Sequence, residues 1–556
     1  MKRETSVSRR AFVGGSAVAA AGLAAGSMMG TIALADESAG VGTKYTKYPN
    51  PDEIGIVHEA SAEEEFDVVV VGTGISGMSC AMLLAEQDPE AKVLLIDKET
   101  VPGGNTNLAE INAPGLSVPY QEALTAGMER AKGKMFLFSG ILWAEVNSEN
   151  GKVSAWLYDK HGVELATDFH YYLGHQGNRC VDTLIGIITG DPAYASIDYR
   201  LNTQAIALLM DDDHTCTGVQ IKDVNSGAYT NVKAKAVMLA TGGMGTNMEL
   251  LSYYTGLDVA KCMPVGLGQD GDGHLMVEYT AHGKAKGCDP TSGWVTVKGY
   301  ALWDPLSVAA SMQYKNVFVN QYGTRFNSED YSSSRGGQSH DFCNQGKVFS
   351  VMSKTLIDYF ETYGSDHKSY YYQDLPTPVA DEIEESVDGE VVFKADTYAE
   401  LAEAMGLPVE PFVADMEAYE ADCVAGEGDK KFGKGPEYMI ALGEGPYYGF
   451  ECQPVVLQTN NGIRINALAQ VCDMYFTPIS GLYAGGIAVS GWHSQQRELG
   501  MSQKLGLWTG LRAARTIIEE NLGAAVAEDW YGPAEYQGGV AGKVHEPGKP
   551  LPGEIS

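Results

Sequence analysis

Apolar positions in this chain come in short unbroken runs, several of which end at glycine. Phe66-Asp67-Val68-Val69-Val70-Val71 has the valine content of a strand buried on both faces in a parallel sheet. It runs directly into Gly72-Thr73-Gly74-Ile75-Ser76-Gly77, after which the pattern of 78–86 predicts a helix. A second strand is predicted over 92–96, ending at Asp97, so a strand, a glycine turn, a helix and a strand follow one another within about 32 residues. A strand over 231–239 then delivers Ala240-Thr241-Gly242-Gly243-Met244-Gly245, and Gly271-Asp272-Gly273 opens a helix over 274–281. Near the end of the chain Gly481-Leu482-Tyr483-Ala484-Gly485-Gly486 repeats the transition, with a helix predicted over 502–519.

Residues 288–446 read differently. They hold polar or acidic helical stretches, such as 381–385 and 398–405, and three consecutive tyrosines, Tyr370 to Tyr372. We read them as an inserted cap, bracketed by nucleotide-domain segments at 62–287 and 447–525. Residues 526–556, rich in glycine and proline with little periodicity, are expected to form a strap or a tail.

The glycine triplet has a physical reading. Gly72 permits a tight turn, Gly74 lets the backbone approach a pyrophosphate, and Gly77 lets the helix pack against the sheet while its free N–H groups face the anion. Asp97, 20 residues after Gly77, is placed to accept hydrogen bonds from an adenosine ribose. Val101-Pro102-Gly103-Gly104-Asn105-Thr106-Asn107 follows where an NAD domain would continue its regular sheet. Four separated glycine elements around one βαβ unit imply a cofactor extended across the domain, a length that suits FAD. The expected class is therefore α/β, a Rossmann-like FAD-binding domain interrupted by an α+β capping domain.

The N-terminus adds a location. Ser8-Arg9-Arg10-Ala11-Phe12-Val13 precedes a small-residue apolar run, and Ala33-Leu34-Ala35 offers a cleavage site, so 1–35 reads as a twin-arginine signal peptide. The expected location is the periplasm or the outer face of the cytoplasmic membrane, with no transmembrane segment in the mature chain. With 39 basic and 72 acidic residues the formal charge is -33, which disfavours nucleic acid. The 9 cysteines are scattered and never spaced C-x-x-C, so iron–sulfur clusters, structural zinc and c-type haem have no ligand pattern, and no metal is expected.

The stretches VVVVGTGISG, LLIDKETVPGGNTN, LATGG, QDGDG, NQYGTRFNSED, GLYAGG and GWHSQQRELG together resemble the flavoprotein subunit family of fumarate reductase and succinate dehydrogenase. The resemblance is to its exported branch, with flavocytochrome fumarate reductase and urocanate reductase, and more distantly to 3-ketosteroid dehydrogenases. It implies an active site between an FAD domain and a cap, and a cofactor set of Gly72, Gly74, Ile75, Ser76, Gly77, Asp97, Lys98, Gly103, Gly104, Asn105, Thr106, Ala205, Thr241, Gly242, Gly243, Asp272, Gly485 and Gly486. Covalent attachment in related complexes uses a histidine near the place held here by Asn105-Thr106-Asn107, so non-covalent FAD is expected.

In that family hydride passes to the β-carbon of an activated alkene, an acid protonates the α-carbon, and histidines and an arginine hold the electron-withdrawing group. By motif the arginine is Arg497, four residues after His493, which itself is expected to touch flavin or substrate. Elsewhere the chain departs from the pattern: Asp289 and Gln458 stand where the family has substrate-binding histidines, and Ser333 where it has the cap arginine. Tyr331 and Arg335 are the nearby candidates for the proton donor, and each has a structural alternative in packing or ion pairing. Tyr447-Tyr448 resemble a tyrosine pair of the ketosteroid enzymes, so Tyr448 joins the candidates, with core packing as the alternative.

These departures make fumarate itself a poor fit. The expectation is an exported FAD-dependent reductase of an activated C=C bond, an enoate or enone larger than fumarate and with room for an aromatic group. Its electrons are expected from a separate cytochrome or a membrane quinol-linked donor. A ketosteroid-type dehydrogenase running the chemistry backward, and a flavin-carrying electron-transfer subunit without its own substrate chemistry, stay open as alternatives.

Overall fold

The computed structural model describes residues 53–109, 115–131, 139–163, 175–255, 261–283, 295–301, 304–329, 341–364, 379–459, 462–491 and 501–537. They belong to two compact units, the larger built from Lys44–Gly256, Gly266–Thr291 and Gln458–Ser556, the smaller from Leu257–Val265 and Ser292–Leu457. Among the described residues no helix is long and apolar enough to cross a membrane.

The larger unit is organised by a six-stranded sheet in the order Gln470–Cys472, Pro478–Ala484, Ala236–Leu239, Val68–Val71, Val93–Ile96 and Ile197–Arg200. All neighbours are parallel except the first pair, a hairpin. Val68–Val71 lies at its centre and is buried at every position, which is why its sequence shows no polar alternation. Helix Ile75–Gln87 follows from Gly74, and 11 successive residues from Ile75 to Ala85 are buried. A helix apolar on all sides must be covered on all sides, and Met501–Ile517 packs on it through glycine. A methyl group at Gly510 would lie 2.2 Å from the Ser76 carbonyl, and one at Gly506 would lie 2.7 Å from Ile75.

The predicted single strand over 231–239 is two strands. Tyr229–Lys233 belongs to a separate four-stranded sheet with Ala62–Glu65, Cys216–Asp223 and Thr203–Met210, and Ala236–Leu239 to the central one. The break falls where Ala234 N donates to Thr217 O and Lys235 N to Asp67 O, so the chain changes partners there. Its half-exposed first part and fully buried second part match the two environments.

The smaller unit has a mostly antiparallel sheet, Val295–Val297, Tyr447–Val456, Val348–Ser353 and Val317–Asn320 in order, with Val392–Ala395 and Met263–Pro264 also paired to Tyr447–Val456. Helices Lys354–Tyr363, Ala380–Ser386, Tyr398–Met405 and Val409–Ala425 complete an α+β unit. Tyr447–Val456, which the sequence reading gives to the nucleotide domain, is the central strand of this sheet. Its ten residues form one nearly unbroken buried run, which requires cover on both faces of the sheet, and it is paired along both edges.

Candidate active site

The polar groups of the larger unit converge on the start of helix Ile75–Gln87. Gly72 has φ 106° and a carbonyl so close that a methyl at Gly77 would lie 1.8 Å from it. No side chain fits between turn and helix, so the helix N-terminus is brought down on the strand end. The Ile75 N–H donates to Thr106 Oγ1 at 2.9 Å, and that hydroxyl keeps its own proton for an anion. A methyl at Gly74 would sit 3.5 Å from Thr106 Oγ1 and 3.8 Å from the Gly103 carbonyl, so the glycine keeps a cradle open between turn and hydroxyl.

Thr73, missed in the sequence, ties the cradle together. Its hydroxyl donates to Asp97 Oδ2 at 2.5 Å and accepts from Gly103 N at 3.0 Å, while its N–H donates to the same Asp97 oxygen at 2.9 Å. Asp97 Oδ1 accepts from Glu99 N at 3.0 Å, and a carboxylate with four acceptor positions retains capacity for a ribose hydroxyl. Asn105 Oδ1 accepts from Leu267 N at 2.8 Å, setting Gly104–Leu108 against the chain leading to Asp272.

Lys98 and Asp272 are engaged with one another. The Lys98 ammonium donates to Asp270 at 2.6 Å and Asp272 at 2.9 Å, and Gln204 Nε2 donates to Asp272 at 3.0 Å. Burial opposes the charge on Lys98, but Asp272 and Asp270 outweigh it and raise its pKa. These residues brace the site. Ala205 is buried in Thr203–Met210, opposite Ile221, at a register irregularity.

Gly485 and Gly486 close the other side. Gly486 N donates to Thr509 Oγ1 at 2.8 Å, and a methyl at Gly485 would lie 2.5 Å from Ser76 Oγ and 2.7 Å from Thr509 Oγ1. Ser502, Gly506, Thr509 and Gly510 form a small-residue stripe at helical spacing, a signal by which this helix could have been placed at the site. Gln503 Nε2 reaches the Thr106 carbonyl at 3.5 Å, while its buried Oε1 has no partner.

The loop from Thr241 to Gly243 meets the return segment. A methyl at Gly243 would lie 2.2 Å from Thr459 Oγ1, which accepts from Met244 N at 3.3 Å. Gln458 is 4% exposed, and its Oε1 accepts from the Ser502 hydroxyl at 3.1 Å. Thr241 Oγ1 is buried without a partner, as are both ring nitrogens of His274, whose pKa burial pushes down to about 4. Unpaired buried acceptors and donors, an open glycine cradle and a helix N-terminus fit the FAD expected from the sequence.

Tyr448 is 3% exposed within the core of the smaller unit, and its hydroxyl donates to Glu384, which is paired to Lys394 at 2.8 Å. That environment is the one its packing alternative describes. Tyr447 stacks on Tyr398 with ring centroids 4.2 Å apart. Asp289, Tyr331, Arg335, His493 and Arg497 lie outside the described residues. Just before Tyr331, Glu329 is clamped by Arg325 Nε at 3.0 Å and by Lys434 at 3.2 Å, with Asp429 accepting from Arg325 at 2.9 Å. Burial would raise the Glu329 pKa, but Lys434 and Arg325 hold it below the usual carboxylate range.

A further ion cluster in the larger unit escaped the sequence reading. Glu149 accepts from both Arg515 terminal nitrogens at 2.9 and 2.7 Å, from Arg512 at 3.0 Å and from Trp508 Nε1 at 2.8 Å. It fixes Met501–Ile517 against the segment after Gly140–Ser148.

The FAD binding domain model matches residues 146–502, well over half of the chain, and the NAD(P)-binding Rossmann-like domain model matches 70–130. Vinyl phenol reductase of Lactiplantibacillus plantarum is 27% identical over 464 residues, covering 77% of this chain and 90% of that protein. Fumarate reductase (cytochrome) of Shewanella frigidimarina is 28% identical over 462 residues, covering 79% and 74%. Among solved structures, 3-ketosteroid delta1-dehydrogenase from Sterolibacterium denitrificans has a similar fold, with a TM-score of 0.62 at 16% identity over 82% of this chain and 100% of that one.

Proposed function

The chain belongs to the FAD binding domain family and is an FAD-dependent oxidoreductase acting on CH–CH bonds; from that premise we propose that it reduces a C=C bond activated by one polar group, in a substrate larger than fumarate that carries an aromatic ring. Bound non-covalently in the glycine cradle, FAD would supply the hydride for such an alkene. Arg497 is assigned to the activating carbonyl or carboxylate, which its planar guanidinium can grip at two points. Tyr331 or Arg335 is assigned the proton for the α-carbon, a tyrosine being the simpler neutral donor and an arginine needing a carboxylate to restore its proton, a part we give to Asp330 because Glu329 is already held ionised by Arg325 and Lys434.

Gln458 carries the reading. A dicarboxylate is best held by positive charge at both ends, and where the family has a histidine this position holds an amide that stays neutral, its oxygen engaged by Ser502. The name of the vinyl phenol reductase supports an aromatic alkene as the substrate class. The reading extends to export by the Arg9-Arg10 signal and to electrons from a separate redox protein outside the cytoplasm.

The test is anaerobic oxidation of a reduced viologen dye by purified holoprotein with fumarate, hydroxycinnamates, vinyl phenols and cyclic enones. Aromatic alkenes should exceed fumarate in kcat/KM by on the order of a hundredfold or more. Fumarate turnover equal to theirs would overturn the reading, and, in a parallel assay with an oxidised dye as electron acceptor, oxidation of a saturated ketone with no alkene reduction in the first assay would favour the dehydrogenase direction. Arg497→Lys should keep its flavin and lose most of this activity; unchanged turnover would remove Arg497 from the site.

A further inference from the structure

Cys262 and Cys343 are separated by 81 positions in sequence, yet their sulfur atoms stand 3.5 Å apart within the smaller unit. Both side chains are buried, each 7% exposed. Separate backbone anchors bring them together. On one side Met263–Pro264 pairs with the end of Tyr447–Val456, and Val265 N donates to Val456 O at 2.9 Å. On the other, Phe342 packs edge-on against Phe318 and Phe326, with centroids 5.0 and 5.5 Å apart. That turn is closed by Asn344 N on Asp341 O at 3.2 Å and Gln345 N on Phe342 O at 3.1 Å. The Lys261 ammonium also reaches the Gln345 carbonyl, a second link between the same two segments.

The thiol contact is thus set by the frame and not by two side chains alone. A disulfide needs its sulfurs about 2.05 Å apart. Closing the remaining distance of about 1.5 Å lies within the reach of rotation about two χ1 angles. Other thiols of the unit are placed differently. Cys452 is buried in the central strand with its Sγ on the Phe450 carbonyl at 3.4 Å, and burial pushes its pKa up. Cys423, on helix Val409–Ala425, is pushed up to about 11 by burial.

We propose that Cys262 and Cys343 are a redox-active pair that closes to a disulfide when the protein meets a thiol–disulfide oxidant. One thiolate attacks the oxidant's disulfide, expelling one thiol and forming a mixed disulfide. The second thiolate attacks the protein sulfur of that intermediate, forms the Cys262–Cys343 bond and expels the second thiol. Two protein thiols are oxidised and one external disulfide is reduced. The bond ties the strand Met263–Pro264 to the turn at 341–345 across a long loop, the condition under which a crosslink restrains the unfolded chain most.

Purified holoprotein is incubated with oxidised glutathione, its remaining thiols are alkylated, and it is digested without reduction. A peptide pair joining Cys262 to Cys343, two hydrogens lighter than the sum of its parts, is expected, and should be absent from Cys262→Ser and from Cys343→Ser. The oxidised wild type should unfold on the order of 10 °C above the reduced form, with no such shift in either variant. Recovery of both residues as alkylated thiols, of mixed glutathione adducts alone, or of either cysteine linked elsewhere would overturn the proposal. Neither readout uses turnover, so the result stands apart from the reductase assay.

Discussion

In the larger unit the start of helix Ile75–Gln87 is held by approaches of backbone against backbone. Gly77 stands so close to the Gly72 carbonyl, and Gly510 to the Ser76 carbonyl, that a single methyl would overlap either one. In the smaller unit a buried ionic set does the holding: Arg325, Glu329, Asp429 and Lys434 form a balanced set of two positive and two negative charges with almost no exposure. The first arrangement suits a surface that must follow an extended ligand, because backbone and small side chains leave room for it. The second holds loops from distant parts of the chain in one place, at the cost of dehydrating four charges. A defect in the first should therefore appear as lost cofactor, and a defect in the second as lost stability with cofactor retained.

The harshest break is Gly77→Ala. With its new carbon 1.8 Å from the Gly72 carbonyl, helix and strand must part, and we expect a destabilisation above about 4 kcal/mol and a protein that does not load flavin. The flavin-to-protein absorbance ratio and thermal unfolding measure both. Next is Glu329→Gln, which leaves Arg325 and Lys434 buried without their shared carboxylate. It should cost about 3–5 kcal/mol in denaturant unfolding while the flavin ratio stays near that of wild type. If flavin is lost at the same rate as structure, the contrast between the units fails.

A pH experiment sharpens the comparison from the side of the larger unit, where Glu149 is the exception to the backbone rule. Burial would raise its pKa, but Arg515 and then Arg512 bring it down to about 2 from 4.5. Its contribution is fully present above about pH 4.5 and is lost as pH falls toward 2, an effect of about 3 kcal/mol. Denaturant unfolding between pH 5 and 2 should show this acid loss in wild type and a flattened profile in Glu149→Gln. The smallest effect is Tyr448→Phe, which removes the hydrogen bond to Glu384 and should cost about 1 kcal/mol with turnover unchanged. A large fall in kcat would return Tyr448 to the active site.

The legible parts of the molecule were those whose meaning is local. Val68–Val71, the turn to Gly77 and Asp97 fall within one short stretch, so spacing alone ordered strand, turn, helix and acceptor. The helices over 381–385 and 398–405 were legible for the same reason. Thr73 was not, because its two partners, Asp97 and Gly103, become neighbours only when the strands are aligned. Glu149 was not either, since its arginines lie more than 360 positions away. The boundary drawn before Tyr447 was not legible, because a buried apolar run such as Tyr447–Val456 looks alike in either unit.

The order of the six-stranded sheet bears on how the protein is made. Ala236–Leu239 has Pro478–Ala484 as its neighbour, a strand that arrives roughly 240 residues later. At 5–20 residues per second the nascent chain carries that apolar edge unpaired for roughly ten to fifty seconds while the whole smaller unit is synthesised. Gly485, Gly486 and the helix Met501–Ile517 come later still. The cofactor cradle is therefore completed only after the helix Met501–Ile517 has been made, and until then the growing sheet presents an open edge to other chains. Conditions that slow elongation through residues 292–457 should lower the yield of folded protein more than those that slow it before residue 236.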